Sequence, residues 1–384
     1  MVPTGGHDRV IGIAVSTVAI WLYLVLGNGG FWLARERDTR DVPPAPAPSV
    51  TSWPDVVAVV PARDEADVIA RAIGSLAAQD YPGDFRIVLV DDGSSDGTAD
   101  IARDSGGDRL TIVRGTPLPT DWTGKLWAVS QGIASAGSPR YLWLTDADIA
   151  HAPDTLRSLV ARAEHRDLAL VSLMAKLRCT HWAEHALIPA FVYFFQMLYP
   201  FSRVSGRGPG AAAGGCMLVR REALAAVDGI GAIRGALIDD CAFGALMKTQ
   251  GPVWLGLTER SRSIRPYDGI RPIAAMISRS AYAQLDYSPL KLMGAVIGLA
   301  LVYAAPPMLT LFADGPARAL GIAAWLLMTL SFLPMLRFYH RSPLWSPCLP
   351  LIAAFYTGCT LLSAWQHGRG RGGMWKGRAQ AARQ

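Results

Sequence analysis

The chain has 384 residues, of which 51% are hydrophobic, and this proportion exceeds what a soluble protein of two domains usually carries. Its formal net charge of +6 is modest. The sequence also lacks a cluster of basic and aromatic residues, so nucleic acid is not an expected partner. The five cysteines have no paired spacing, which argues against a disulfide framework and suits a reducing compartment.

Four stretches contain no Asp, Glu, Lys or Arg, and each is long enough to cross or nearly cross the hydrocarbon core of a bilayer. They are residues 10–34, 292–313, 319–336 and 342–366. The first is longer than the apolar region of a signal peptide and lacks a small-residue cleavage site, so residues 1–40 are predicted to form a retained transmembrane anchor. Residues 289–367 are predicted to form transmembrane or re-entrant helices.

Positive charge follows the anchor directly at Arg35, Arg37 and Arg40, whereas Arg9 is the only Lys or Arg before it. The positive-inside rule therefore predicts a multi-pass protein of the cytoplasmic (inner) membrane, with the long middle segment in the cytosol. The basic tail, 368–384, has no acid and should also be cytosolic. Three full crossings after a cytosolic domain would place this tail outside, so one proline-interrupted stretch should be re-entrant. The candidates are 292–313 and 342–366.

Residues 41–54 are rich in proline and predict an extended linker. From residue 55 to residue 288, short β-branched runs alternate with helical patterns, which predicts an α/β domain with a mostly parallel sheet covered by helices. The predicted strands are 56–60, 86–90, 110–113, 141–145 and 168–174, and the predicted helices are 66–78, 97–105, 125–136 and 153–165.

Polar clusters follow three of these strands. The first strand ends in P-A-R-D-E at 61–65, the second in D-D-G-S-S-D-G-T at 91–98, and the fourth in D-A-D at 146–148. Ligands of open α/β sheets bind beyond the carboxyl ends of the strands, so the three clusters are expected to share one rim. Each cluster taken alone is also compatible with an ordinary turn or a helix start, because Asp is common in both.

In this order, the three clusters, the segment G-G-C-M-L-V-R-R at 214–221 and the pair Asp239-Asp240 resemble glycosyltransferase family 2. The length, the single N-terminal anchor and the apolar C-terminal region look most like the hopene-associated membrane glycosyltransferases. The resemblance implies a GT-A fold, with a Rossmann-like and mostly parallel sheet. It also implies inverting transfer of one sugar from a nucleotide-sugar donor, leaning towards UDP, to a membrane lipid. A hopanoid-related lipid is the first acceptor to test, and a polyprenyl phosphate is the alternative.

The resemblance also implies roles for the acidic residues. Asp148 is expected to bind a divalent metal, Mg or Mn, and Asp146 to contact the metal or the ribose. Hard cations prefer carboxylate oxygen, and such a cation offsets the charge of a nucleoside diphosphate leaving group. Asp240 is expected to be the catalytic base. Asp239 stands where Glu is commoner, and it is the second expected catalytic residue.

The donor is expected to contact residues of all three clusters and one lysine. The resemblance assigns the contact with the nucleotide base to Asp92, and a carboxylate there can accept the imide N–H of uracil. Lys125 opens a predicted helix after W-T-G and could approach the diphosphate, as could Arg262 or Arg265. The expected donor-binding set is Pro61, Ala62, Arg63, Glu65, Asp92, Gly93, Ser94, Lys125 and Asp146.

Three further features limit the function. The Q-x-x-R-W motif of processive synthases is absent, since residues 276–280 retain only Arg279 of it. The apolar run 186–202 predicts a helix that either docks onto the bilayer or packs in the core, with Pro189 and Pro200 as its boundaries. His181 and His185 match the H-x-x-E-H pattern of zinc peptidases, although an interfacial role fits them better. A catalytically silent binding protein with the same fold is the other alternative.

Overall fold

The computed structural model describes residues 4–39, 53–370, 374–375 and 378–379. The chain forms two compact units, which we call the helical unit and the sheet unit. The helical unit comprises Met1–Arg35, Cys179–Pro200 and Tyr267–Gly372, and the sheet unit comprises Glu36–Arg178, Phe201–Pro266 and Gly373–Gln384. The predicted proline-rich linker lies almost wholly outside the described residues, as does most of the basic tail.

The sheet unit is built on eight strands in the order β3-β2-β1-β4-β7-β6-β8-β5. The strands are β1 (Val56–Ala62), β2 (Phe85–Asp91), β3 (Leu110–Arg114), β4 (Tyr141–Leu144), β5 (Ile149–His151), β6 (Leu170–Lys176), β7 (Met217–Arg220) and β8 (Val253–Ser263), with a separate pair β9 (Met374–Trp375) and β10 (Arg378–Ala379). Strands β1 to β4 pair in parallel, as do β6 and β8, whereas β7 is antiparallel to both of its neighbours. The predicted α/β class with a mostly parallel sheet is confirmed.

The helices follow the predicted pattern closely in the first half of the sheet unit. In chain order they are α1 (Thr4–Leu22), α2 (Ala66–Ala77), α3 (Thr98–Gly106), α4 (Gly124–Ser135), α5 (Thr155–His165), α6 (Trp182–Leu198), α7 (Phe201–Ser205), α8 (Arg221–Ala225), α9 (Asp239–Lys248), α10 (Ile270–Ser278), α11 (Pro289–Leu299), α12 (Ala305–Phe312), α13 (Gly315–Phe338) and α14 (Leu349–Gly368). Helix α2 buries Ile69, Ile73 and Leu76, which lie one helical turn apart and pack on the strongly apolar sheet.

Four helical segments within the described residues are long and apolar enough to cross a membrane: His7–Gly27, Pro289–Phe312, Gly315–Phe338 and Pro343–Gly368. They coincide with the predicted N-terminal anchor and the predicted C-terminal apolar region. The number of true crossings and the side of the tail remain predictions.

The predicted boundaries of the 186–202 helix are wrong. Helix α6 begins at Trp182 and ends at Leu198, with Pro189 inside it. The start is fixed earlier because Glu184 accepts the backbone N–H of His181 at 2.8 Å while the His181 ring accepts that of Ala183 at 3.4 Å, which is a capping-box arrangement. Much of the helix is buried, including Tyr193, so packing within the helical unit explains most of its apolar character.

In the helical unit, α1 supplies a hydrogen bond where prolines interrupt another helix. Pro306 and Pro307 have no N–H to donate to the carbonyl groups four residues earlier, and the helix widens to a π turn over Ala300–Ala304. The indole N–H of Trp21 donates to the carbonyl oxygen of Val302 at 2.8 Å. An unpaired carbonyl group is costly at membrane depth, so this bond ties the N-terminal helix to the C-terminal helices.

We therefore expect Trp21→Phe to lower the free energy of unfolding by about 0.5–2 kcal/mol, since it removes the donor to Val302 and keeps an aromatic ring. The measurement is detergent-induced unfolding in mixed micelles. Trp182→Phe is the control, because Trp182 is 58% exposed. Equal stability of the two variants would contradict the role of this bond.

Candidate active site

The D-A-D triplet lies where the chain leaves β4. Ala147 is buried, whereas Asp146 and Asp148 on either side of it are partly exposed. The triplet lies in the turn between β4 and β5, so strand alternation does not apply to it, and both carboxylates are partly accessible.

Two cations hold these carboxylates. Lys125, in the first turn of α4, places Nζ 2.9 Å from Asp146 Oδ1 and 3.0 Å from Asp239 Oδ2. Arg265, two residues beyond β8, places Nε 2.7 Å from Asp148 Oδ2 and Nη2 2.5 Å from Glu65 Oε2. Each acid of the triplet is thus joined through a cation to an acid on another segment.

The second acidic pair starts helix α9, where the helix dipole favours negative charge. Asp240 accepts the backbone N–H of Gly214 at 3.1 Å and that of Cys241 at 2.8 Å. A side chain at Gly214 would place its Cβ 3.3 Å from Lys125 Nζ and 3.5 Å from Asp240 Cβ. Glycine at this position therefore lets the loop approach both charged groups.

The surroundings shift the pKa values of two of these acids and of Lys125. Burial raises the pKa of Asp240 to about 6, and the neighbouring charge of Asp239 acts in the same direction, while Lys125 opposes it. Burial also raises the pKa of Asp146. Although burial disfavours its charge, the carboxylates of Asp146 and Asp239 raise the pKa of Lys125 above its usual value. Lys125 is therefore a cation and Asp240 a carboxylate at neutral pH.

The loops after β1 and β2 are bound to each other. The N–H of Asp64 donates to Ser94 Oγ at 3.0 Å, and the N–H of Ser95 donates to Asp64 Oδ1 at 2.8 Å. The Arg63 guanidinium donates to the carbonyl oxygen of Asp92 and lies 3.7 Å from its carboxylate. Gly93 turns the loop with a φ of 71°. Arg63, Asp92, Gly93 and Ser94 thus lie together, as expected.

A cavity opens beside Lys125. The charged residues that line it are Lys125, Asp146 and Asp239, and its other walls include Pro61, Gly214 and apolar side chains from α4 and α9. Ala62, the last residue of β1, is itself buried in the core. Of the two arginines that were candidates for the diphosphate, Arg265 reaches the D-A-D triplet, whereas the Nε of Arg262 donates to the carbonyl oxygen of Glu259.

A buried histidine network below the triplet was not predicted. Thr145 Oγ1 donates to the carbonyl oxygen of Gly215 at 2.8 Å and lies 2.9 Å from His151 Nε2, while His151 Nδ1 lies 2.9 Å from Ser261 Oγ. Burial lowers the pKa of His151 to about 3, so the imidazole is neutral. The network fixes the backbone before Asp146 against β8, and an isolated His in the sequence gives no signal of it.

The carboxylates at this rim fit a divalent metal ion whose remaining coordination positions are filled by oxygen atoms of a bound substrate. No cluster of three or more His, Cys, Asp or Glu side chains that could hold a metal occurs among the described residues. Mg²⁺ is commonly held by one or two carboxylates together with substrate phosphates. Asp146 and Asp148 are two partly exposed carboxylates of the kind that such a metal ion would require.

The zinc-peptidase alternative does not fit the geometry. His181 caps α6, and Glu184 is fully buried and accepts backbone N–H groups of Thr180, His181 and Tyr267 at 2.6 to 3.0 Å. The Nε2 of His185 lies 2.8 Å from the Arg341 guanidinium. A cation in the position of a metal ion argues against zinc there.

Comparison with known proteins supports the family. Residues 57–227 match the family model of glycosyl transferase family 2. The fold resembles that of mannosyltransferase PcManGT from Pyrobaculum calidifontis, solved with GDP-Man and Mn²⁺, at a TM-score of 0.56 and 20% identity over 93% of this chain and 99% of that chain. This likeness confirms the GT-A fold. The family model covers less than half of the chain, so the similarity to glycosyl transferase family 2 is that of this segment.

Two curated relatives cover shorter parts of the chain. An N-acetylglucosaminyltransferase of Rhizobium leguminosarum bv. viciae is 28% identical over 217 residues, which are 54% of this chain and 50% of the relative. The 4,4'-diaponeurosporenoate glycosyltransferase of Staphylococcus aureus (strain USA300) is 34% identical over 91 residues, which are 24% of this chain and 23% of the relative. The chain thus spans half or less of the length of these relatives, and the hopene-associated resemblance stays a prediction.

The raised pKa of Asp240 can be tested directly. We expect its carboxyl group to titrate near pH 6, and we expect Asp239→Asn to move the midpoint to lower pH because that variant removes the adjacent negative charge. Carboxyl NMR of ¹³C-aspartate-labelled protein, assigned with Asp240→Asn, measures both values.

The control for this titration is Asp100→Asn, because Asp100 is exposed and pairs only at the surface with Arg103. It should leave the midpoint in place. An Asp240 midpoint near pH 4, or one that Asp239→Asn does not move, would contradict the electrostatic account.

Proposed function

We propose that the protein is an inverting, metal-dependent glycosyltransferase that moves a single sugar from a UDP-sugar to a membrane lipid. The observation that carries this proposal is the pairing of two acidic sites through Lys125. The D-A-D triplet lies on one side of that lysine, and Asp239, next to Asp240, lies on the other. One acidic site can serve the donor diphosphate and the other the acceptor hydroxyl.

The donor would lie along the rim of the sheet. Asp92, held by Arg63, would accept the imide N–H of uracil. Asp146 and Asp148 would hold the divalent metal, which supplies positive charge to the developing diphosphate. The Lys125 ammonium and the Arg265 guanidinium lie beside the same carboxylates and would donate to the phosphate oxygens.

Asp240 would act as the base. It would take the proton of the acceptor hydroxyl while that oxygen attacks the anomeric carbon from the face opposite the diphosphate. The new carbon–oxygen bond forms as the bond to the diphosphate breaks, and the electron pair leaves with the nucleotide. Because its pKa is about 6, the Asp240 carboxylate is deprotonated at neutral pH yet more basic than an ordinary aspartate.

A lipid acceptor is supported by the four apolar helices that share the chain with the sheet unit. The Staphylococcus aureus relative is named a 4,4'-diaponeurosporenoate glycosyltransferase. We propose a hopanoid or related polyisoprenoid lipid as the acceptor here. The positive-inside pattern favours a cytosolic sheet unit, which would then have access to cytosolic nucleotide sugars.

Removal of the carboxylate proposed to bind the metal should slow sugar transfer and uncouple it from the metal. We expect Asp148→Ala to lower kcat/KM by about 10²- to 10³-fold and to remove the dependence of UDP release on Mn²⁺ or Mg²⁺. The assay is UDP release by purified protein in nanodiscs with extracted lipids and a panel of UDP- and GDP-sugars. Asp100→Asn is the control, and retained metal-dependent activity of Asp148→Ala would refute the metal assignment.

Removal of the base should separate binding from transfer. We expect Asp240→Asn to bind UDP with little change while the transfer rate falls by about 10²- to 10⁴-fold. In the wild type, kcat/KM should rise with pH through about 6 as Asp240 loses its proton, and then level off. Unchanged turnover in the variant would remove Asp240 as the base.

The acceptor can be identified in cells. Lipid mass spectrometry after deletion of the gene should show loss of a glycosylated hopanoid or related lipid, and the wild-type copy should restore it. Loss of a glycosylated polyprenyl phosphate instead would favour that acceptor. Loss of neither lipid class would refute both acceptor assignments.

A further inference from the structure

Both carboxylates proposed to bind the metal are already engaged by cations. Lys125 Nζ lies 2.9 Å from Asp146, and Arg265 Nε lies 2.7 Å from Asp148. The side chains are only 20% to 32% exposed, so water screens these pairs less than it screens surface pairs. A divalent ion that arrives alone would have to compete with two positive charges at contact distance.

Each cation also has a second carboxylate that no metal role requires. Lys125 lies 3.0 Å from Asp239 in the first turn of α9, and Arg265 Nη2 lies 2.5 Å from Glu65. Glu65 is buried and its backbone N–H donates to Thr98 Oγ1 at 2.8 Å, so it is a fixed anchor. Each cation can therefore release the D-A-D triplet without leaving the site.

A nucleoside diphosphate can replace the Asp146 and Asp148 carboxylates as the hydrogen-bond acceptor of both cations. Its oxygens accept charge-assisted hydrogen bonds from an ammonium and a guanidinium, as a carboxylate does. Once the cations turn to the diphosphate, Asp146 and Asp148 regain free oxygen atoms, and the diphosphate itself adds further oxygen ligands. Diphosphate binding would thus free the carboxylates for a metal ion, and a bound metal ion would in turn favour the diphosphate.

We propose that Lys125 and Arg265 are counter-cations that pass from Asp146 and Asp148 to the diphosphate, so that divalent metal and nucleotide bind cooperatively and not singly. This inference rests on the proposed function and adds an order of events to it. Asp239 and Glu65 are then positioning residues that keep the two cations beside the diphosphate.

The test measures binding and needs no turnover. Mn²⁺ is titrated into the full-length protein in nanodiscs, with and without saturating UDP, and free Mn²⁺ is followed by electron paramagnetic resonance. In the wild type we expect UDP to tighten Mn²⁺ binding by about tenfold or more, and reciprocity requires Mn²⁺ to tighten UDP binding by the same factor.

Removing either positive charge should strengthen the binding of Mn²⁺ alone and weaken the binding of UDP. We expect Lys125→Met and Arg265→Met each to bind Mn²⁺ alone about three- to tenfold more tightly, because a competitor for the carboxylate is gone. The same variants should bind UDP in the presence of Mn²⁺ about tenfold more weakly, because a phosphate donor is gone. Lys125→Arg keeps the charge and should retain the coupling.

Arg103→Met is the matched control, since Arg103 pairs with Asp100 on the exposed surface of α3, and it should behave as the wild type. Wild-type protein that binds Mn²⁺ and UDP independently, or Met variants that bind Mn²⁺ no more tightly than the wild type, would overturn the counter-cation role while the glycosyltransferase proposal stands. Wild-type protein that binds no UDP even with Mn²⁺ would instead overturn the proposed function.

Discussion

The ammonium group of Lys125 is the contact on which the site depends. It joins Asp146, at the end of a central strand, to Asp239, at the start of α9, with distances of 2.9 and 3.0 Å. Burying two carboxylates close together is costly unless a counter-charge or hydrogen bonds compensate, and this lysine supplies the counter-charge that lets the two acidic segments approach each other. Arg265 repeats the arrangement between Asp148 and Glu65. Without these cations the rim would be a concentration of repelling carboxylates.

The individual acids could be found from the sequence because they follow strands with clear β-branched patterns, and a local pattern is enough to place Asp92 and Asp146 at strand ends. The cations were harder to place. Lys125 was expected to approach the diphosphate, but its pairing with Asp146 and Asp239 was not predicted. The partnership of Arg265 with Glu65 spans 200 positions of sequence. Contacts of that range leave no periodic signal, and the same is true of the pairing of β8 with β6. The neutral His151, bound between Thr145 and Ser261, was invisible for the same reason.

Local signals also compete, and the start of α6 illustrates the outcome. Pro189 suggested a boundary because proline disfavours a helix interior. The paired contacts of His181 and Glu184 start the helix seven residues earlier, and the proline is carried inside it. In the helical unit, Pro306 and Pro307 lack the N–H groups that a regular helix would donate. The Trp21 side chain of α1 donates to one of the carbonyl groups left without that partner, and no pattern within a single segment predicts this contact. Sequence patterns therefore predict helices and strands better than they predict the side-chain contacts that cap those elements or join them.

The central claim is that the D-A-D carboxylates hold a metal against a nucleoside diphosphate while Asp240 stays free for the acceptor. Structure determination of the UDP complex with Mn²⁺, using the anomalous scattering of manganese, tests it most directly. The account predicts one manganese peak bonded to Asp148 or Asp146 and to diphosphate oxygens, at roughly 2.2 Å, with Asp240 outside the coordination sphere. A peak bonded to Asp240, or UDP bound away from the D-A-D triplet, would contradict it.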